Sequence, residues 1–309
     1  MPLGPGTSEL TPTMVDPPRV PARVETVARQ FERRAAGFAA HDAVVREIAR
    51  RIGERLDVIR IEPRTILDAG CGRGADREAL LARYRAAAWL GVDLSPAMLA
   101  AAGAEPRRWW RRPMPLPVAC ADAARLPFAD GVVDLVYSNL MLHWHPTPHQ
   151  VLPEWHRVLR DDGLVMFSCL GPDTLKEVRE ACAEAGLDSR PMPFVDMHDF
   201  GDMLVASGFA TPVVDCEVLR LTYRGAAALL AEVRALGGNP RVDRRRGLPG
   251  GRAARALGAA LESRRDADGR IGLTVEVVYG HAWRRPARAR AAPSVATVPV
   301  EALRASRRR

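Results

Sequence analysis

A chain of 309 residues with 47% hydrophobic content is long enough to bury a full core in one large domain or two small ones. Its formal charge of +8 is not the mark of a nucleic-acid binder, because Arg284 to Arg309 alone hold eight arginines against one glutamate and leave the remainder near neutrality. Five scattered cysteines, Cys71, Cys120, Cys169, Cys182 and Cys216, form no C-x-x-C pair, and no apolar run approaches a membrane span, so a soluble, cytoplasmic protein without a disulfide framework is expected.

In chain order, residues 1–22 are Pro-rich and aperiodic, lack the apolar stretch of a signal peptide, and are expected to be disordered. Val27, Phe31, Ala35 and Phe38, then Val44, Val45, Ile48 and Ile52, recur at three- and four-residue steps. This spacing predicts two helices ahead of the first strand, placed as a lid. Strands are expected at Ile66 to Ala69, at Leu90 to Asp93, up to Cys120, at Val133 to Asn139 and at Leu164 to Leu170. Asp173 to Glu184 and Asp196 to Ser207 read as helices, and Val213 to Tyr223 alternates like a strand. Ala226 to Leu236 and Arg252 to Ser263 read as helices, and Ile271 to Tyr279 as a closing strand. The order predicts one α/β domain over 23–286, with about seven mostly parallel strands, helices on both faces and a helical insertion before the last strand. Residues 287–309 are expected to be a disordered basic tail. The local cluster of Arg241, Arg244, Arg245, Arg246, Arg252 and Arg255 either steers an acidic partner or is a solvated loop and helix face.

The most informative stretch is Ile66-Leu67-Asp68-Ala69-Gly70-Cys71-Gly72-Arg73-Gly74, a strand running into a glycine-rich turn with a helix expected to open at Gly74. Gly70-x-Gly72-x-x-Ala75 also meets the looser pattern for NAD or FAD, so the turn alone does not choose the ligand. Asp68 does: a carboxylate two residues ahead of Gly70 repels a pyrophosphate and suits S-adenosylmethionine, a sulfonium and ammonium ligand without phosphate. Asp93, 23 residues after Gly70, ends the second strand where ribose hydroxyls are met in either cofactor. Asp122 ends the third strand within reach of an adenine amino group, and a third acid disfavours phosphate further. Asn139 arrives at the carboxyl edge on the fourth strand. These features together predict a Rossmann-like class I methyltransferase fold with S-adenosylmethionine as cofactor. His143, His145, His149 and His156 are not read as a metal site, because Pro146 and Pro148 break the helical pairing a ligand set needs; a surface loop with one histidine near the pocket mouth is expected instead. Cys71 is read as a small filler inside the glycine turn.

Beyond these general motifs, Ser138-Asn139-Leu140-Met141-Leu142-His143-Trp144 resembles the S-N-L-x-L-x-W run of malonyl-[acyl-carrier protein] O-methyltransferases. Gln30-Phe31-x-Arg33-Arg34-Ala35-Ala36-x-Phe38 is similar to that family's first helix, Gly171-Pro172-Asp173-Thr174-Leu175 to its loop after the fifth strand, and Leu273 to Trp283 to its closing strand. The resemblance covers about Val24 to Trp283. It implies methylation of the free carboxyl of a malonyl thioester on acyl carrier protein, with malonyl coenzyme A as a possible second substrate, in biotin biosynthesis. It places Asp68, Gly70 and Gly72 at the methionine portion of the cofactor, Asp93 and Leu94 at the ribose, Asp122 and Ala123 at the adenine, and Asn139 in the wall. A monomer acting without nucleic acid or membrane is the implied working form.

A carboxylate is already a nucleophile, so no general base is assigned; alignment of oxygen, methyl and sulfur in a dry site supplies the rate. Phe38 stands where the family commonly has tyrosine and cannot make a hydroxyl hydrogen bond. Gln30, Phe38, His41, Trp144 and Arg234 are the substrate-side candidates. Arg234 suits a carboxylate through paired hydrogen bonds or is a solvated helix-surface residue, and Trp144 is a substrate wall or core packing. Two other readings stay open: a relative of the mitochondrial complex I assembly factor that modifies a protein side chain, and an RNA or small-molecule methyltransferase. The strand-four edge lacks the N-P-P-Y clamp of base amino-methylation.

Overall fold

In the computed structural model, which describes residues 22–103, 117–187, 192–235 and 250–286, the strands are apolar on both faces at the centre of the sheet and alternate at its edge. β1 (Thr65–Ala69), β2 (Ala88–Asp93), β3 (Val118–Cys120), β4 (Val133–Ser138) and β5 (Leu159–Leu170) are joined to β6 (Ala210–Tyr223) and β7 (Ile271–Trp283) in the order β3-β2-β1-β4-β5-β7-β6. β7 is antiparallel to both β5 and β6, whereas the pairs from β3 across to β5 are parallel. β1 and β4 are almost wholly buried because helices cover both faces, and their central residues, Ile66 and Leu67 and Leu135 and Val136, are accordingly apolar. β6, the edge strand, alternates between half-buried and exposed residues. The mostly parallel seven-stranded fold predicted from sequence is the one observed.

The helices are α1 (Val24–Arg34), α2 (Ala43–Asp57), α3 (Arg77–Arg83), α4 (Pro96–Gly103), α5 (Pro148–Val158), α6 (Lys176–Glu184), α7 (Met197–Ala206), α8 (Ala226–Ala235) and α9 (Gly251–Glu262). α5 and α7 close one face of the sheet over Trp155, Phe167 and Phe200, and α2 and α3 close the other over Ile48, Ile52, Trp89 and Tyr279. α8 and α9 form the insertion between β6 and β7 and pack with α6 over Leu229, Leu261 and Leu273. α1 stands over the carboxyl end of the sheet, with Val27 packed beside Trp144 and Met192. The chain order reverses between β1 and β4, which leaves the crevice of a doubly wound sheet at their carboxyl ends.

The first helix after the glycine turn opens at Arg77, not at Gly74. Gly70, Gly72 and Gly74 all have positive φ, and the Gly74 N–H bonds back to the Cys71 carbonyl at 2.7 Å, so the turn runs on past the last glycine. Likewise α6 opens at Lys176 and not at Asp173, because Leu175 is in the left-handed region at φ 62°. The loop ahead of it is sewn to β7: Gly171 and Asp173 N–H groups bond to the Glu276 carbonyl and carboxylate at 2.9 and 2.7 Å, and the Thr174 hydroxyl donates to the Glu276 carbonyl at 3.0 Å. The two family-like motifs at 171–175 and 273–283 are thus one structural unit. The expected tails at 1–21 and 287–309, and Arg241, Arg244, Arg245 and Arg246, lie outside the described residues. No described helix is long and apolar enough to cross a membrane.

A methyl group added at Gly280 would meet the Phe167 ring at 2.3 Å, and Phe167 is fully buried against Trp155 and Phe200. Gly280→Ala is expected to cost about 1–3 kcal/mol through overpacking and to lower the melting temperature. Gly258→Ala, in α9 with no atom near its added Cβ, is expected to raise stability by about 0.5–1 kcal/mol. Thermal melts of the two variants check the packing, and a neutral Gly280→Ala contradicts it.

Candidate active site

Asp68 leaves the end of β1 into almost dry protein, 2% exposed, where its carboxylate accepts from Trp89 Nε1 at 3.2 Å. Burial pushes its carboxyl well above the ordinary range, and the charge of Asp76 adds to the effect. Asp76 sits in the glycine turn, accepts from the Tyr137 hydroxyl at 3.0 Å and from Asn139 Nδ2 at 3.1 Å, and is likewise raised by burial. Asp93 ends β2 and ties the turn in place: Gly72 N–H donates to Oδ2 at 2.9 Å and Ser95 N–H to Oδ1 at 2.8 Å. Its carboxyl also rises through burial, with the backbone donors of Ser95, Gly72 and Leu94 opposing. Each oxygen retains a lone pair for a ligand hydroxyl. Sequence reading missed Asp76, which follows the last glycine of the turn by two and ends no strand.

Asp122 is different, because His145 Nε2 lies 3.0 Å from its Oδ1 and the Ala124 N–H donates to the same oxygen at 2.9 Å. The imidazole holds this carboxyl below its ordinary range. The Thr147 N–H donates to His145 Nδ1 at 3.1 Å, which leaves Nε2 to carry the proton toward Asp122. Asn139 is engaged on every side: Nδ2 donates to Asp76 and to the Val45 carbonyl at 3.1 Å each, and Oδ1 accepts from the Ser168 hydroxyl at 2.9 Å. It braces α2, β5 and the acid cluster at once. Leu140, directly after it, has φ 54°, an uncommon conformation held by hydrogen bonds from its N–H to Ser168.

These groups face a cavity of about 920 Å³ under α1. Its strand-end side carries Asp68, Gly70, Gly72, Asp76, Asp93, Leu94, Asp122, Ala123 and Asn139. Its lid side carries Gln30, Phe31, Arg34 and Phe38, with Trp144 and His143 between the two and Arg234 exposed at the rim. A methyl on Gly70 would meet the Met141 side chain at 2.2 Å, so only glycine fits where the backbone passes under this wall. The volume and charge suit an extended cationic ligand against the strands and leave room for a second molecule beneath the lid.

Residues 67–167 match the family described as Methyltransferase domain. The malonyl-[acyl-carrier protein] O-methyltransferase of Laribacter hongkongensis (strain HLHK9) is 45% identical over 272 residues, 85% of this chain and 90% of that protein. The chain belongs to the malonyl-[acyl-carrier protein] O-methyltransferase family. Among solved structures, YcgJ of Bacillus subtilis superposes with a TM-score of 0.55 at 16% identity over 77% of this chain and 99% of its own. Phosphoethanolamine N-methyltransferase 2 of Haemonchus contortus, determined with S-adenosylhomocysteine, gives 0.51 at 15% identity over 84% of this chain and 60% of its own. At these identities the two structures establish the class I methyltransferase fold.

Against that family frame, all eight residues expected at the cofactor line the cavity. Four of the five substrate-side candidates do so as well, but His41 does not. It is exposed and turns outward, with Nδ1 3.4 Å from Glu232 Oε2 on α8, because a carboxylate partner is available there. Trp144 is both wall and core: 9% exposed, it meets Phe31 edge-on with ring centroids 5.4 Å apart. The histidine segment is not the expected surface loop, since His143 and His145 are 3% and 7% exposed. His143 accepts from the Leu170 N–H at 3.4 Å, and burial lowers its imidazole to about 3, so the ring is a neutral part of the wall. Cys71 is buried with its thiol pushed up by burial, as a packing residue. Among the described residues no three His, Cys, Asp or Glu side chains gather as a metal site.

Asp68, Asp76 and Asp93 are raised by burial, so in the free protein they hold protons at higher pH than the unfolded chain does and cost stability as pH rises through that range. A ligand carrying a sulfonium and an ammonium favours their charged forms and pulls the pKa values back down. S-adenosylmethionine binding is therefore expected to release protons and to tighten as pH rises through the raised range in which these acids titrate in the free protein. Calorimetry in buffers of different ionisation enthalpy reads the release. Asp76→Asn is expected to reduce it and weaken binding about tenfold, and pH-independent binding without proton release rules the assignment out.

Proposed function

We propose that this chain transfers the methyl group of S-adenosylmethionine to the free carboxylate of a malonyl thioester on acyl carrier protein, the methylation that starts biotin synthesis. The observation that carries the reading is one cavity with buried carboxylates on the strand side and an aromatic, cationic lid on the other. In this reading residues 23–286 act as one methyltransferase unit. Asp68, Gly70 and Gly72 hold the methionine portion, with Asp76 beside them; Asp93 and Leu94 take the ribose, Asp122 and Ala123 the adenine, and Asn139 braces the wall. Gln30, Phe38, Trp144 and Arg234 border the substrate. The five cysteines form no disulfide, which fits a cytoplasmic enzyme.

The chemistry is a displacement in line. A carboxylate oxygen forms a bond to the methyl carbon while the carbon–sulfur bond breaks, its electron pair going to sulfur, and S-adenosylhomocysteine and the methyl ester result. No proton moves, so the neutral His143 in the wall suffices and no base is required. What the protein contributes is alignment and exclusion of water, through Trp144 and Phe194 beside that imidazole and Phe31 packed on Trp144.

Purified protein with S-adenosylmethionine and malonyl carrier protein is expected to yield the methyl ester, and the gene to restore growth of a biotin auxotroph lacking this methyltransferase. At saturating cofactor, kcat/KM should be flat between about pH 6.5 and 8.5, since the malonyl carboxylate is ionised throughout and no base titrates. Absence of the ester with a competent carrier defeats the reading, as a bell-shaped profile centred near neutrality defeats the base-free mechanism. The same assay with malonyl coenzyme A settles which thioester is preferred.

A further inference from the structure

The cavity holds several cations, and they are not equivalent. Arg46 is held by Asp42 at 2.6 Å, and Arg33 and Arg234 are exposed to solvent. Arg73, whose Nε is likewise buried without a partner, belongs to the glycine turn itself, beside the backbone that would carry the methionine portion of the cofactor. Arg34 is alone on the lid side in being half-buried without a hydrogen-bond or ion-pair partner: its Nη1 is shut off from solvent, and no acceptor of the described protein reaches it. It lies one helical turn beyond Phe31 and Gln30, on the stripe of α1 formed by Val27, Gln30, Phe31 and Arg34, all of which line the cavity. Phe31 on that stripe packs against Trp144, which fixes the stripe beside the aromatic wall of the cavity.

A desolvated guanidinium with no partner is costly, and burial alone draws its affinity for a proton down. The fold tolerates this where a ligand completes the pairing. The cofactor brings one carboxylate, next to the turn and Arg73, and a malonyl thioester brings the other.

We propose that Arg34 receives the malonyl carboxylate, binding one or both oxygens through its planar fork and so orienting the attacking oxygen toward the methyl group. This rests on the malonyl-thioester reading above. The contact makes Arg34 the residue that distinguishes a malonyl from an acetyl thioester, which lacks the carboxylate. It also weakens as the reaction proceeds, because the ester that forms is neutral and pairs poorly with a guanidinium.

The test uses the full chain and its Arg34→Gln and Arg34→Lys variants, each checked for folding by its melting curve with S-adenosylhomocysteine. Arg34→Gln is expected to lower kcat/KM for malonyl carrier protein by thirtyfold or more, on the order of a lost charge-assisted hydrogen bond. Its affinity for S-adenosylhomocysteine should stay within about twofold, and Arg34→Lys should recover part of the loss, because the charge remains but the fork does not. In the unmodified protein loaded with S-adenosylhomocysteine, malonyl pantetheine should bind and acetyl pantetheine should not, a difference that Arg34→Gln abolishes. Unchanged kcat/KM overturns the inference, and so does an equal loss of cofactor affinity, which makes Arg34 a cofactor residue. A wild-type chain that gives no ester overturns the malonyl reading itself, and is told apart because it fails before any substitution.

Discussion

Three carboxylates crowded at the strand ends, Asp68 in nearly dry protein and Asp76 and Asp93 half-buried, set the terms for everything around them. Asp68, Asp76 and Asp93 each lose solvation that the hydrogen bonds from Trp89, Tyr137, Asn139 and two backbone amides restore only in part. A cation bound among them recovers the remainder, and a phosphate in the same place makes the deficit worse. The strand ends, the three left-handed glycines and the Asp93 tie exist to hold these acids in a concave row. Asn139 then links that row to α2 and β5 through one amide.

What the sequence made legible follows from how locally each feature is determined. The β1 turn could be read because only glycine adopts its backbone and because Asp68 sits at a fixed offset from it. The closing strand could be read because it is rich in β-formers, and the mostly parallel sheet of about seven strands followed from the alternation of elements. Asp76 was not legible, since nothing in the chain ahead of α3 tells a turn aspartate facing the crevice from one facing water. His41 and His145 show the same limit from the other side. His41 was drawn outward by Glu232, and His145 inward by Asp122, and both partners are distant in sequence.

The loop Gly171 to Leu175 illustrates a dependence that runs between motifs. Read singly, it is a short polar connection after β5. In the structure the Gly171 and Asp173 amides and the Thr174 hydroxyl are satisfied by Glu276 on β7 and the Leu175 amide by the Thr274 carbonyl, so the antiparallel strand also positions Thr174 and Leu175 at the cavity. Placing β7 between β5 and β6 thereby gives the family's last strand a share in the substrate side without any catalytic group of its own.

The division of the cavity also fits the charge balance of the reaction. Reactants enter as a sulfonium and a carboxylate, and products leave as a thioether and an ester, so charge separation falls toward the transition state. A low-dielectric setting favours such a change, because two opposite charges that water would keep apart are drawn together and neutralised. Aromatic walls and a neutral imidazole keep water out of that setting around the lid guanidinium. Neutralisation removes the attraction on both sides at once: the acids lose their sulfonium, and the lid guanidinium loses its carboxylate. The two binding halves thus weaken together after transfer.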